Sequence, residues 1–362
     1  MAFKASAAKM NRGTEWNEDI GARNLLNSLR RMLDPLVEKG RIGDQPMRLE
    51  MGFVEKLDFG ASVWTDEGTD YIAINAFTMP ILVGAFRMVL SHPSVLPELP
   101  MSADQKCYFF PHDPRDALIL NEEWQFPPLI DPDREYAAQR LAFLAFYFIV
   151  HHEFAHIING HTSWLPHNDI LQVIEEAELD RTFARDPITR QTFEFDADCT
   201  AVDYMLRLLL VPKIIDNGPP SRWQIPDPGP YGTIDQTVIT CAIVLEIVYG
   251  FLSRNAEVHN SRALTRTHPP QIVRQHYTIH LIAQTLHVRS GLNPQTIDTQ
   301  AKRAATSARM AFFRSVAAEM EQPDPKTTIK IEEIIQLYKQ RWKILRPQLD
   351  PLKRGGILAP ID

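Results

Sequence analysis

Between Val150 and His161 the chain reads Val-His-His-Glu-Phe-Ala-His-Ile-Ile-Asn-Gly-His, and within it His152, Glu153 and His156 have the spacing H-E-x-x-H. Residues four apart on an α-helix lie one above the other on the same face. Imidazoles at 152 and 156 can therefore reach one metal ion, and Glu153, next to the first, falls on the side where a water would sit. This is the layout with which a zinc site hydrolyses a peptide bond, the glutamate moving the proton.

A catalytic zinc site takes three protein ligands, and the third sorts the class. The metzincin pattern H-E-x-x-H-x-x-G-x-x-H needs a glycine and a third histidine in a register that Gly160 and His161 do not occupy. The remaining common solution is a glutamate from a following helix. Glu194, in the run Glu194-Phe195-Asp196-Ala197-Asp198, offers one. Glu175, Glu176 and Glu178 are alternatives that lack the Ala-Asp continuation. Asp198, one turn beyond Glu194 on the same face, suits the role of accepting a hydrogen bond from a ligand imidazole and fixing its tautomer. His151 and His161 crowd the motif but lie off the ligand face, so they are assigned a structural role, and Asp196, Cys199 and His167 are assigned to packing or the surface.

A third element is Thr267-His268-Pro269-Pro270-Gln271-Ile272-Val273-Arg274. Proline fixes the entry of a helix, which puts His268 at its mouth and Arg274 one to two turns inside. Taken together, H-E-x-x-H, E-x-x-A-D and T-H-P-P followed by an arginine resemble the gluzincin zinc metallopeptidases of the HtpX and CAAX-prenyl-endopeptidase type. The resemblance spans residues 150 to 274. It implies a zincin-like fold, Zn2+ held by His152, His156 and Glu194, and Glu153 as general base. It further implies that His268 supports the oxyanion of the tetrahedral intermediate and that Arg274 pairs with the ligand glutamate. Members of that family usually carry transmembrane helices, so this chain is similar to a soluble relative. A weaker likeness is to the phage-exclusion peptidases, which cleave a single host protein. Two other readings stay open: a non-catalytic regulatory or binding module with a structural metal, and a defence or toxin protease specific for one partner protein.

The elements that must position these residues are mainly helical. Asp131-Pro132 reads as an N-cap followed by proline at the first helical position, and Asn159-Gly160 as a C-terminal stop. Between them Leu141 to Val150 is apolar all round, which marks a helix central to the fold. A helix from Asp186-Pro187 or Thr192 to before Pro212 carries Glu194. Further helices are expected over 236 to 252, from Pro269-Pro270, over about 295 to 320 and over 329 to 346, after a lead-in helix within 14 to 39. The clear sheet signal is a hairpin, Ala61-Ser62-Val63-Trp64-Thr65 and Tyr71-Ile72-Ala73-Ile74-Asn75, joined by a turn containing Gly68. An exposed edge of this hairpin is a candidate for pairing with substrate backbone. Proline-rich connections are expected over 91 to 131 and 213 to 235. The fold class is thus α+β and mainly α-helical, with a small antiparallel sheet. The divisions are a helical lead-in over 1–46, a peptidase domain over 47–290 and a C-terminal helical extension over 291–362 packed on the same domain.

Composition narrows the partners. With 362 residues, 44% of them apolar, the chain can bury a sizeable core. A net charge of −7 argues against nucleic acid and leaves a protein or peptide as the expected substrate. Cys107, Cys199 and Cys241 form neither a C-x-x-C pair nor an even set, so a reducing compartment is expected. The opening residues offer no apolar stretch of the kind a signal peptide uses, and a cytoplasmic location follows as the expectation. The most membrane-like segment, Val238 to Leu252, is shorter than the roughly 20 residues of a spanning helix and contains Glu246, which favours a buried core helix over an integral membrane segment.

Overall fold

The computed structural model describes residues 3, 6–7, 20–42, 45–56, 59–108, 127–167, 173–175, 186–210, 233–252, 264, 268–315 and 325–360. The middle of the first proline-rich connection, most of the second, Thr267, Glu176 and Glu178 lie outside the described residues. Chain order gives helix α1 (Ile20–Val37), short strands β1 (Arg41–Ile42) and β2 (Gln45–Pro46), β3 (Leu49–Val54), β4 (Ala61–Asp66), β5 (Thr69–Asn75) and α2 (Thr78–Leu90). There follow α3 (Pro132–Ile158), α4 (His161–His167), β6 (Val173–Glu175), α5 (Pro187–Leu210), α6 (Ile234–Leu252), α7 (Gln271–Ser290), α8 (Pro294–Ser315) and α9 (Pro325–Leu349).

Helix α3 is the axis of the molecule. The Asp131 carboxylate accepts hydrogen bonds from the amides of Asp133 (3.0 Å) and Arg134 (3.2 Å), and Pro132 occupies the first turn. Asp133 and Glu135 add negative charge where the helix dipole favours it. From Leu141 to Ile158 every side chain is buried, because α2 and α5 pack along it and the sheet and α6 close it off. The helix stops at Asn159, and Gly160 takes the left-handed conformation (φ 85°) that a residue with a Cβ rarely adopts. Arg134, 1% exposed, holds the preceding connection down: its guanidinium donates to the carbonyls of Leu90, Val95, Leu96, Leu99 and Pro100 at 2.8–3.2 Å. Most of those carbonyls belong to buried residues, where a backbone acceptor needs a donor.

The hairpin is present, with a two-residue turn in which both Glu67 (φ 49°) and Gly68 (φ 76°) have positive φ, as a type I′ turn requires. The sheet around it is mixed rather than antiparallel. Its order is β3-β5-β4-β6, and β3 runs parallel to β5. Leu49–Val54 carries Gly52 in its middle, which weakens the strand signal in sequence. Both edges of the hairpin are therefore paired, β5 along β3 and β4 with β6 over Ser62–Trp64, so the strand addition expected at the hairpin would have to occur at β3 or β6 instead. One sheet face feeds the main core through Val63, Ile72 and Ile74, and the other packs Trp64, Tyr71 and Ala73 against Phe3 and Ala7.

Two of the helices, α3 and α6, are long and apolar enough to cross a membrane, and α6 at 19 residues exceeds the stretch singled out in the sequence. Their apolar windows are 100% and 72% buried within the protein itself, and the core helix of a soluble protein passes the same test. Inside α6 the Glu246 carboxylate is held by Arg309 of α8 (2.6 and 3.0 Å) and by Gln275 of α7. Helix α9 lays Ile331, Ile334, Ile335 and Tyr338 on Val273 and Tyr277 of α7, while its Trp342, Leu345 and Leu349 enter the main core.

Candidate metal centre

Three elements converge at the C-terminal end of α3. The α3 helix itself presents His152, Glu153 and His156, the adjacent α5 presents Glu194 and Asp198, and the entry of α7 brings His268 and Arg274. The approach of α5 follows from small and apolar residues at Ala197, Ala201 and Val202, all fully buried. His152, His156 and Glu194 form a buried group whose ligand atoms lie within 4.8 Å of one another and which could hold a metal ion.

The separations can be compared with a coordination geometry. His152 Nε2 lies 3.1 Å from His156 Nε2 and 3.2 Å from Glu194 Oε2, and His156 Nε2 lies 3.5 Å from Glu194 Oε1. Tetrahedral ligands with bonds of about 2.0–2.1 Å stand about 3.3 Å apart. The donor atoms are thus already spaced for one small ion. Three protein donors, two imidazole nitrogens and a carboxylate oxygen, are the count and type that catalytic zinc sites use.

The far side of each imidazole is also tied. His152 Nδ1 lies 2.9 Å from Asp198 Oδ1, so the carboxylate accepts the Nδ1 proton and leaves the Nε2 lone pair facing the site. Asp198 is itself gripped by Arg274, which donates from Nε to Oδ2 (2.8 Å) and from Nη2 to Oδ1 (2.6 Å), and by the Tyr277 hydroxyl. The guanidinium lies over the Tyr249 ring, 4.6 Å from its centroid. Burial pushes the Asp198 carboxyl up, but the Arg274 charge and the His152 hydrogen bond outweigh it and hold the group below the usual carboxylate range. Arg274 thus pairs with Asp198, where the family resemblance implied Glu194. It sits one turn inside α7, and where α7 crosses α5 the nearest carboxylate is the one a turn beyond the ligand.

Behind His156 stands a residue that the sequence assigned a structural role. His161 Nδ1 lies 2.9 Å from His156 Nδ1, and its Nε2 lies 3.1 Å from Asp196 Oδ2. His161 would lie off the ligand face of a continuous helix. The chain breaks at Asn159-Gly160, however, and α4 restarts at His161 itself, which turns the ring back toward the site. His151, by contrast, donates from Nδ1 to the Tyr147 carbonyl (2.9 Å) and stacks on the Tyr147 ring. Burial pushes it down to about 4, and it faces away from the ligand group.

Charge in the site is arranged for a cation. Burial pushes the Glu194 carboxyl up, but the neighbouring His268 charge, the hydrogen bond from His152 and the nearby His156 hold it well below the usual range. Burial pushes the His156 imidazole well below its ordinary value, with Glu194 opposing, so it is neutral and can donate its lone pair. Glu153 is fully buried on the same helix. The His268 side chain is 15% exposed against 4% or less for His152, His156 and Glu194, and its Nε2 lies 3.6 Å from Glu194 Oε2. It marks the side on which the group meets solvent.

Against family models, curated proteins and solved structures the chain gives no match. The case for a function rests on the site alone. Glu175, an alternative third ligand by sequence, lies in β6 and pairs with Ser62 of β4, and burial with the charges of Asp196 and Asp198 pushes the Cys199 thiol well above its ordinary range.

Proposed function

We propose that the protein is a zinc-dependent endopeptidase that hydrolyses peptide bonds of a protein substrate, a soluble relative of the gluzincin type. The observation that carries the proposal is the donor set: two imidazole nitrogens and one carboxylate at tetrahedral spacing, on the helix that also carries Glu153. Zinc bound there would supply a water acidified to about pKa 7 and a Lewis acid for the scissile carbonyl.

The chain's own residues supply the rest. His152, His156 and Glu194 would hold the ion, with Asp198 keeping His152 in the Nδ1–H tautomer. Glu153, fully buried beside the ligand histidines, would take the proton of the attacking water and return it to the leaving amine. His268, 3.6 Å from Glu194, would donate a hydrogen bond to the carbonyl oxygen as charge develops there, a contribution worth about 3 kcal/mol in comparable sites. Arg274 would act through Asp198 rather than on substrate.

The test is Glu153→Gln on a protein substrate such as unfolded casein. The variant is expected to keep its zinc and its fold and to lose proteolysis by at least about a hundredfold, the lower range for a lost general base. Full activity in the variant would overturn the proposal.

A further inference from the structure

The ligand His152 has its carboxylate partner one turn along from Glu194. The other ligand, His156, has no carboxylate against its Nδ1 among the described contacts; it has His161 at 2.9 Å. The direction of that bond follows from the ligand set. If His156 offers Nε2 to a metal, its proton is on Nδ1, which then donates to His161 Nδ1. A neutral His161 then carries its own proton on Nε2, and that nitrogen stands 3.1 Å from Asp196 Oδ2, an ion-pair distance. With His156 as the donor, His161 Nδ1 can only be the acceptor of the 2.9 Å bond. All three are buried to within 1%.

The far end of the relay is fixed by the C-terminal segment. Asp196 Oδ1 accepts from the Ala359 amide (2.6 Å), and Oδ2 also accepts from Asn159 Nδ2 (2.6 Å). The same segment closes on the end of α3: the amides of Arg354 (2.7 Å) and Gly356 (3.2 Å) both donate to the Ile158 carbonyl. Its approach is so close that a Cβ at Gly356 would stand 2.0 Å from Asn159 Oδ1, and one at Gly160 would stand 2.9 Å from Leu352 backbone. The Arg354 guanidinium pairs with Asp70 of β5 and donates to Ser163 of α4 (2.9 Å). The His161 ring is held flat on Phe193, centroids 4.4 Å apart and planes 10° apart.

We propose that His161 is a positioning residue for the metal ligand His156, fixing its tautomer and ring orientation, with the Phe193 ring and the carboxylate of Asp196, itself held by the Ala359 amide, placed against His161 in turn. The proposal rests on the metal-site reading above. It makes residues 354–359, far from the motif in sequence, a support of the metal centre.

The experiment is zinc affinity by competition with a chromophoric chelator, on wild-type protein, His161→Phe and His161→Gln, with melting of each metal-free protein alongside. Phenylalanine keeps the stack on Phe193 and removes the acceptor; glutamine restores an acceptor oxygen. The expected result is a loss of about 10- to 100-fold in zinc affinity for His161→Phe, the range for lost partners of ligand histidines, and recovery of most of it in His161→Gln. Equal affinity in wild type and His161→Phe would overturn the proposal while leaving the metal reading intact. Equal loss in both variants would also overturn it. Wild-type protein that takes up no zinc would overturn the metal reading and this proposal together. A measurement that needs no variant is the nitrogen-15 spectrum of histidine-labelled zinc-loaded protein: His156 is expected with its proton on Nδ1, and His156 bound to the metal through Nδ1 would overturn the relay.

Discussion

Replacing Arg274 by methionine removes the cation that faces Asp198 and leaves a carboxylate that is fully buried. The guanidinium makes two charge-assisted hydrogen bonds to it, at 2.6 and 2.8 Å, and the remaining partners are His152 and the Tyr277 hydroxyl. Losing one member of such a buried pair costs about 3–5 kcal/mol, because the desolvated charge left behind is no longer compensated. A double variant that also carries Asp198→Asn removes that orphaned charge, and replacing both partners of a buried pair is often close to neutral. The expected outcome is a loss of about 3–5 kcal/mol in Arg274→Met and recovery of at least about 1 kcal/mol when Asp198→Asn is added, a coupling of the size that neighbours in one network show. The assay is urea unfolding of the metal-free proteins by tryptophan fluorescence and circular dichroism, the two probes checking that one transition is being followed. A loss below about 1 kcal/mol in Arg274→Met, or a double variant no more stable than the single one, would refute the reasoning.

Arg134→Met takes donors from five carbonyls at once, four of them on buried residues, and at about 1–3 kcal/mol for each orphaned group even two unrescued buried carbonyls lower stability by about 2–6 kcal/mol; thermal melting checks it, and an unchanged melting temperature would contradict it. Glu135 gives a pH-dependent case. Burial pushes its carboxyl up, but hydrogen bonds from Arg87, Gln139 and the Leu129 amide together with the Arg87 charge bring it below its ordinary 4.5. A carboxyl depressed by folding contributes stability that is fully present above its unfolded value and is lost as the pH falls through the folded one. Glu135→Gln should therefore melt below wild type at pH 7, with the gap closing as the pH is lowered from about 4.5; a gap that stays constant from pH 7 to pH 3 would contradict the assignment.

The centre of the site was legible because its spacing is local. His152, Glu153 and His156 sit on one uninterrupted helix, where periodicity alone fixes which face each side chain takes, and Asp198 follows Glu194 by one helical turn. Asp131 and Asn159-Gly160 marked the ends of α3 for the same reason, since capping is read from adjacent residues. What was not legible depends on breaks and crossings. His161 falls off the ligand face when helical periodicity alone is applied, but the backbone turns at Gly160 (φ 85°) and a new helix starts. The signal was present in the Asn159-Gly160 stop directly followed by a histidine. The partner of Arg274 is set by where α7 crosses α5, a tertiary fact with no sequence signature. The same holds for the C-terminal segment, whose amides reach Ile158 and Asp196 from nearly 200 residues away in the case of Ile158. Strand β3 was missed because Gly52 interrupts its pattern, and β6 because three residues beside an acidic stretch carry no periodicity.

The most direct test of the central claim is a crystal structure of the zinc-loaded protein with anomalous data collected on both sides of the zinc edge. One anomalous peak is predicted per chain, about 2.0–2.2 Å from His152 Nε2, His156 Nε2 and a Glu194 carboxylate oxygen. A peak elsewhere, or Glu194 turned away from the two histidines, would contradict it.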